Sequence, residues 1–256
     1  MINLINNLIL APMAGYNDLG FKMLCEKYGV GATISEMISA KAIYYNSEKT
    51  KKMLNCNGLT KVKGVQIFGN DSEIMSSVIK SNIFDDYDFI DINMGCPAPK
   101  IVKNKEGSYL LKNLSLASKI IESCVKSTNK PVSVKFRLGQ NDENIIATQV
   151  AKMCEDSGAS LITVHGRTVD QKYGGVCNLE EIKKVKDNVK IKVCGNGDVV
   201  DKASYNLMKQ TGVDFVMIGR GAIGNPYIFS EILGLNYTKD LLNDIMHLSK
   251  STGLGT

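Results

Sequence analysis

Eight short runs of apolar and β-branched residues, separated by amphipathic stretches, constrain this chain more than any other feature. They are LILAPMAG (8–15), GATISEM (31–37), VKGVQIFG (62–69), FIDINMG (89–95), VSVKFRLG (132–139), LITVHGRT (161–168), KIKVCGNG (190–197) and FVMIGRG (215–221). Runs that are apolar almost throughout, rather than strictly alternating, mark strands buried on both faces, as in a parallel sheet. Between them lie FKMLCEKYG, SEIMSSVIKS, LSLASKIIESCVKS, ENIIATQVAKMCEDSG, LEEIKKVK and DKASYNLMKQTG, with apolar residues at helical spacing. Three of these stretches end at Gly29, Gly158 and Gly212, as C-capped helices often do. Strand–helix alternation repeated eight times predicts an α/β fold of the closed (β/α)8 TIM-barrel kind rather than an open doubly wound sheet. One barrel typically uses ~250 residues, and the chain has 256. The barrel is expected over residues 1–235, with a short helical remnant over 236–256.

Composition narrows the partners. The formal net charge of +5 permits an anionic partner such as RNA, and equally a lysine-rich solvated surface. Seven cysteines, an odd number with no CxxC pair, suggest neither a disulfide framework nor a metal site, and fit a reducing cytoplasm. The N-terminus lacks a basic segment before its short apolar run, so no signal peptide is expected. No stretch approaches ~18 uninterrupted apolar residues, so no membrane span is expected.

The chemistry is concentrated where the strands end. Met13, Glu36, Gln66, Asn93 with Cys96, Lys135 with Arg137, His165 with Arg167, Asn196 with Asp198, and Gly219 with Arg220 all fall there. Barrel enzymes build their active sites at this face. The last two strand ends, GNGDV and IGRGAIGNP, carry glycines that let backbone N–H groups approach a phosphate, and the loops after strands seven and eight are the usual phosphate site of such barrels. Lys135 stands inside an otherwise apolar strand and needs an anion. That anion is either a bound cofactor or a carboxylate such as Asp91 or Glu36. His165 at the end of strand six is placed to donate to a phosphate or a pyrimidine carbonyl. His247, in a polar C-terminal stretch, reads as surface. Cys96 leaves strand four through Gly95 into Pro97, a turn that exposes its thiol at the mouth of the barrel. The other cysteines sit in helical stripes or apolar strands, where they read as core.

The segments APMAGYND, SEM, VQIFG, DFIDINMGCPAPK, VKFRLG, TVHGRT, GNGD and MIGRGAIGNPYIF, in that order over about residues 8–233, resemble the tRNA-dihydrouridine synthases, most closely the bacterial B subgroup. The resemblance implies FMN as cofactor, held by Pro12, Met13, Ala14, Gln66, Lys135, His165, Asn196, Gly197, Asp198, Gly219 and Arg220. It implies NADPH as reductant and tRNA, or another RNA, as partner. Cys96 would be the catalytic general acid. Asn93 would face the uracil, and Arg167 would be a substrate contact. The implied reaction flips a uridine out of the RNA, adds hydride to the sixth carbon of its ring and protonates the fifth from Cys96. Family members continue into a helical RNA-binding domain, of which residues 236–256 would be only the start. The competing expectations are a flavin barrel acting on a free pyrimidine, as dihydroorotate dehydrogenases do, reduction of a ribosomal RNA uridine, or a non-catalytic RNA-binding remnant.

Overall fold

The computed structural model describes residue 2 and residues 4–252, with the side chains of 247 and 249–252 excepted. Eight strands form one closed parallel barrel in chain order. They are β1 (Leu8–Leu10), β2 (Ala32–Ser39), β3 (Val62–Phe68), β4 (Phe89–Met94), β5 (Val132–Arg137), β6 (Leu161–His165), β7 (Lys192–Asn196) and β8 (Phe215–Ile218). Leu8, Ile9 and Leu10 pair with Val216, Met217 and Ile218 and close the ring. Six of the predicted runs start where their strands start, the second and seventh starting one and two residues early, and all but the second overreach at their ends, whereas β2 extends two residues past its run to Ser39. The residues past the last hydrogen-bonded pair, Ala11–Gly15 after β1 above all, leave the sheet as loops at the mouth.

The amphipathic stretches are helices on the outside. α1 (Leu19–Lys27), α4 (Ser72–Lys80), α6 (Leu114–Val125), α7 (Ala147–Asp156), α8 (Leu179–Asn188) and α9 (Lys202–Gln210) lie where predicted. Four of them are capped by Asp18, Asp71, Asn113 and Asn178, each accepting from a first-turn N–H. A capping box of Asp201 and Ser204 starts α9. Gly29, Gly158 and Gly212 follow α1, α7 and α9 with φ of 94°, 90° and 83°, the left-handed step that ends a helix. Three short helices were not legible: α2 (Ala40–Tyr44) and α3 (Glu48–Lys52) after β2, and α5 (Pro99–Lys103) after β4. At five residues each they are too short for a periodic stripe. α10 (Ile228–Leu233) follows Pro226, and α11 (Leu241–Thr252) forms the C-terminal stretch. α11 is fastened to α1 by the Asp244 carboxylate, which accepts from Tyr28 Oη and Lys27 Nζ. His247 lies on α11, with its side chain outside the described residues.

Two apolar clusters reflect the two faces of the sheet. The large one joins outward strand residues such as Leu10, Ile67, Ile92, Val134 and Val164 to helix residues such as Ile120, Ile121, Val150 and Ile182. The small one, Ile9, Ala32, Ile34, Phe89, Leu161, Cys194 and Met217 among its members, fills the barrel interior. Phe89 plugs the lower interior, and this requires glycine on the neighbouring strand. A Cβ on Gly64 would stand 2.3 Å from the Phe89 ring, far inside van der Waals contact. Gly64→Ala is therefore expected to destabilise the protein by about 1–3 kcal/mol, the usual range for an overpacked core. Urea unfolding of the two proteins measures it, and an unchanged midpoint would count against this account of the interior.

Candidate active site

The strand ends singled out from the sequence, Glu36 and Arg167 excepted, border one cleft of about 980 Å³ at the C-terminal mouth of the barrel, while the Glu36 carboxylate accepts from the Gly15 N–H at 2.9 Å. That is at the upper end of the range for small-molecule sites, roughly 300–1,000 Å³. Pro12, Met13 and Ala14 enter it from the loop after β1, Gln66 from β3 and Lys135 from β5. His165 ends β6, Asn196 ends β7 with Gly197 and Asp198 beyond it, and Gly219 and Arg220 follow β8. Asn93 and Cys96 close the ring from β4. Ala11, Met13, Met37 and Met217 give the cleft an apolar lining among these polar groups.

The turn that carries Cys96 is fixed from three sides. Asn93 Oδ1 accepts from the N–H of Gly95 at 3.1 Å and of Cys96 at 2.9 Å. Arg137 Nε donates to the Gly95 carbonyl at 3.0 Å, and the Ser108 N–H donates to the Cys96 carbonyl at 3.1 Å. Six of the seven cysteines are buried, and Cys96 is half-buried at the cleft. Burial pushes the thiols of Cys124 and Cys194 up to about 12, as expected of apolar packing residues.

Beside this turn the cleft is cationic, because β5 runs next to β4 with Lys135 in register with Asn93. Lys135 lies within the barrel mouth, and among the described residues its ammonium makes no hydrogen bond or ion pair. Burial, with repulsion from Arg137 second, pulls its pKa down to about 8, against an upward pull from Asp91. His165 is held far below its usual range by burial and then by Lys135, Arg137, Arg167 and Arg220. Its imidazole is therefore neutral and can donate or accept but carries no charge. Arg137 is buried, and its Nη1 donates to the carbonyls of Thr168 and Lys172 at 2.9 and 2.8 Å.

Arg167 is placed differently from expectation. Its side chain is 3% exposed, and Nη2 makes a two-pronged contact with the Asp198 carboxylate at 2.6 and 2.8 Å. Its Nε and Nη2 also donate to the carbonyls of Gly174 and Gly175. The guanidinium sits behind the cleft wall and braces the loop after β6 to the turn after β7. Asp198 needs that brace because it adopts a left-handed φ of 51°, costly for a residue with a Cβ. Burial pushes its carboxyl up, but hydrogen bonds from Arg167 and the Cys177 N–H, and the charge of Arg220, outweigh this and hold it below the usual range. Asn93 is also more committed than expected, since its oxygen serves the Cys96 turn and its nitrogen donates to Gln66.

Sequence reasoning did not single out Tyr173. It is 64% exposed at the edge of the cleft, with its ring 5.7 Å from the Arg220 guanidinium and 6.0 Å from that of Arg137. The one signal available was an aromatic in a polar, glycine-rich loop after HGRT. Gly221 had read only as part of a glycine-rich loop. A Cβ there would meet the Val199 carbonyl at 2.3 Å, so this glycine lets the loops after β7 and β8 touch.

The Dihydrouridine synthase (Dus) family model matches residues 9–245, the whole ring of strands apart from its first residue. This chain belongs to that family. The tRNA-dihydrouridine synthase B of Shewanella oneidensis is 40% identical over 229 residues, spanning 89% of this chain and 71% of that protein. That of Pseudomonas putida is 40% identical over 228 residues, 89% and 68% of the two chains. A probable tRNA-dihydrouridine synthase of Rickettsia conorii is 39% identical over 233 residues, 90% and 70%. Among solved structures, TcOYE with pHBA superposes with a TM-score of 0.66 at 12% identity, over 90% of this chain and 89% of that one. Nitroalkane oxidase from Streptomyces ansochromogenes does so at 0.51 and 13%, over 84% and 65%. At such identities these two share the fold.

The isolated ammonium of Lys135 has a measurable consequence. The folded chain holds this group at about 8, against 10.5 for a free lysine, so between those values the unfolded chain binds more protons. Stability then rises with pH across that window, and below about pH 8 the buried charge is a net cost. Lys135→Met is expected to unfold at higher denaturant than the parent at pH 7, with the gap narrowing from pH 8 towards 10. Denaturation of ligand-free protein at pH 7 and 9.5 tests this, and a variant less stable at pH 7 would contradict it.

Proposed function

We propose that this protein reduces uridine to 5,6-dihydrouridine in tRNA, using FMN held in the barrel mouth and NADPH as reductant, with Cys96 as the general acid. The observation that carries the proposal is the turn at Cys96. It offers the one cysteine that is not buried, in a cleft where the neighbouring strand presents a cation unpaired among the described residues. The named relatives supply the substrate class, since they are tRNA-dihydrouridine synthases at about 40% identity over most of their length.

The residues present fit FMN. The cofactor combines a flat, largely apolar ring system with a phosphate. The apolar lining of Ala11, Met13 and Met217 suits the first. Lys135 and Arg220 bring positive charge to the same cleft, and the N–H groups that open the turn Arg220–Ala222 have neither an intrahelical acceptor nor a side-chain cap. Pro12–Ala14, Gln66 and Asn196–Asp198 border the space between. The neutral His165 donates to the cofactor without adding charge.

When bound and reduced, the flavin supplies the hydride taken by the sixth carbon of the uracil ring. Cys96 then delivers the Sγ proton to the fifth carbon, and its turn holds the sulfur in place for that transfer. Asn93 borders the same space. Its second Nδ2 hydrogen is donated only to the weakly accepting Met37 sulfur at 3.8 Å, a bond that a uracil carbonyl would replace. Arg167 acts on the substrate at one remove, through the loops it braces. The target base reaches the cleft by leaving its stack. The net charge of +5 favours a polyanion, and residues 236–256 are the start of a helical RNA-binding region in this reading. The setting is the cytoplasmic tRNA pool.

Two outcomes follow for the purified protein. It is expected to be yellow and to release FMN on denaturation, and a colourless protein that cannot be reconstituted would overturn the flavin assignment. Cys96→Ala is expected to keep its flavin and its oxidation of NADPH while dihydrouridine formation falls by about 100-fold or more, the usual scale for loss of a general acid. Mass spectrometry of tRNA digests measures the product, and an undiminished yield would remove Cys96 from the mechanism. Turnover of free uracil or orotate, with none on RNA, would overturn the substrate assignment.

A further inference from the structure

The hydrogen bonds that hold the Cys96 turn lead down into the barrel and end on a carboxylate that the mechanism above does not use. Asp91 is fully buried on the inner face of β4, in register with Gln66 on one side and Ser133 on the other. Asp91 Oδ1 accepts from Ser133 Oγ at 2.6 Å, and Oδ2 accepts from Gln66 Nε2 at 2.6 Å. Gln66 Oε1 accepts from Asn93 Nδ2 at 2.8 Å. Asn93 Oδ1 then accepts from the N–H groups of Gly95 and Cys96.

This chain of bonds has a direction. A backbone N–H only donates, so Asn93 must turn its oxygen to the Cys96 turn and its nitrogen to Gln66. Gln66 must then turn its oxygen to Asn93 and its nitrogen to position 91. A carboxamide can rotate by 180° with almost no change of shape, so packing alone does not choose between its two orientations. An acceptor at position 91 does. We propose that Asp91 is a positioning residue for Cys96, fixing the donor–acceptor sense of Gln66 and, through it, of Asn93. Were Gln66 to flip, its nitrogen would face Asn93 Nδ2. Asn93 would then have to turn donors towards donors at the turn, or leave a buried group unpaired.

Asp91 is not simply the counter-ion of Lys135. The two carry no ion pair, whereas both carboxylate oxygens are engaged at 2.6 Å by Ser133 and Gln66. Burial raises the Asp91 pKa, while Ser133, Gln66 and Lys135 oppose the rise. In either protonation state an oxygen remains to accept from Gln66. The catalytic meaning of the proposal rests on reading Cys96 as the acid, but the placement of Cys96 is open to direct measurement.

Because the other six cysteines are buried, alkylation of the folded protein by iodoacetamide reports on Cys96. Asp91→Leu keeps most of the volume and removes the acceptor. In the flavin-loaded protein it is expected to change the Cys96 alkylation rate at least fivefold. It should also lower dihydrouridine kcat at saturating tRNA at least tenfold, with KM for tRNA within twofold. Asp91→Asn still offers an oxygen to Gln66 by turning its nitrogen to Ser133 Oγ, which can accept, so its alkylation should stay within twofold of the parent. A folded Asp91→Leu protein alkylated at the parent rate would overturn the proposal, as would an Asp91→Asn protein equally perturbed. If Asp91→Leu does not fold, Gln66→Glu alone and with Asp91→Asn decides the matter. In the double variant the new amide at 91 donates to the new carboxylate at 66, which accepts from Asn93, so the direction of the chain is restored. Recovery of the alkylation rate in the double but not the single variant supports the proposal, and no recovery refutes it. A parent protein whose alkylation responds in this way but which makes no dihydrouridine would count against the function instead.

Discussion

The inside of an eight-stranded parallel barrel is too narrow to hold bulk water, so each polar side chain on its inner face must find a partner within the chain or in a ligand. This chain meets that constraint in tiers. Phe89, Leu161, Ile9 and Ala32 fill the lower tiers with apolar groups. Ser133, Asp91 and Gln66, adjacent in register on β5, β4 and β3, satisfy one another in the middle. Nearer the mouth, Asn93 passes the network on to the backbone of the Cys96 turn. Among the described residues Lys135 and His165 remain without a side-chain partner, and both face the cleft. The interior is thus self-sufficient below and incomplete at the mouth, where a barrel enzyme takes its ligand.

The loops that complete the mouth are held chiefly through backbone carbonyls. Arg137, Arg167 and Arg220 between them donate to the carbonyls of Gly95, Thr168, Lys172, Tyr173, Gly174 and Gly175. A guanidinium suits this task because its donors are arranged in a rigid plane and it stays charged when buried. Three cations so close together repel, and burial, with Arg167 and Arg220 adding to it, pulls Arg137 down to about 10, yet it remains protonated at neutral pH. Asp198 lies among them, bonded to Arg167 and 3.8 Å from Arg220. It relieves part of that repulsion while holding the left-handed turn after Gly197.

What could be read from the sequence was whatever depends on local pattern. Buried strands show as apolar runs and amphipathic helices as periodic ones, so eight strands and six long helices were legible, as were the glycines that end three of the helices. The inward residues at the strand ends were legible too, because Gln66, Lys135 and Asn196 are polar where a strand should be apolar. Contacts between distant segments were not. Arg167 stands near His165 in sequence and reads as a substrate contact, but its partner Asp198 is 31 residues away and turns it behind the wall. Asp91 read only as a candidate counter-ion for Lys135. Nothing local shows that Ser133, 42 residues on, and Gln66, 25 residues back, take up its two oxygens. Tyr173 depends on where its loop folds, which Arg167 within the loop and Arg137 and Arg220 on two other segments decide.

The incomplete mouth also couples stability to occupancy. A cation held in the barrel without a partner costs free energy in the ligand-free chain, and a bound anion returns some of it. Binding to the folded state alone therefore stabilises the fold in proportion to the logarithm of ligand concentration over Kd. The same residues cannot be optimised for both states. Replacing Lys135 with an apolar residue relaxes the empty barrel and removes the attraction for the anion, the usual opposition between stability and function at a site built for a ligand. The Asp91–Gln66–Asn93 chain escapes that opposition because it is saturated within the protein. It can hold the Cys96 turn in one geometry whether or not the cleft is filled, so the thiol proposed as proton donor is in place before any substrate arrives.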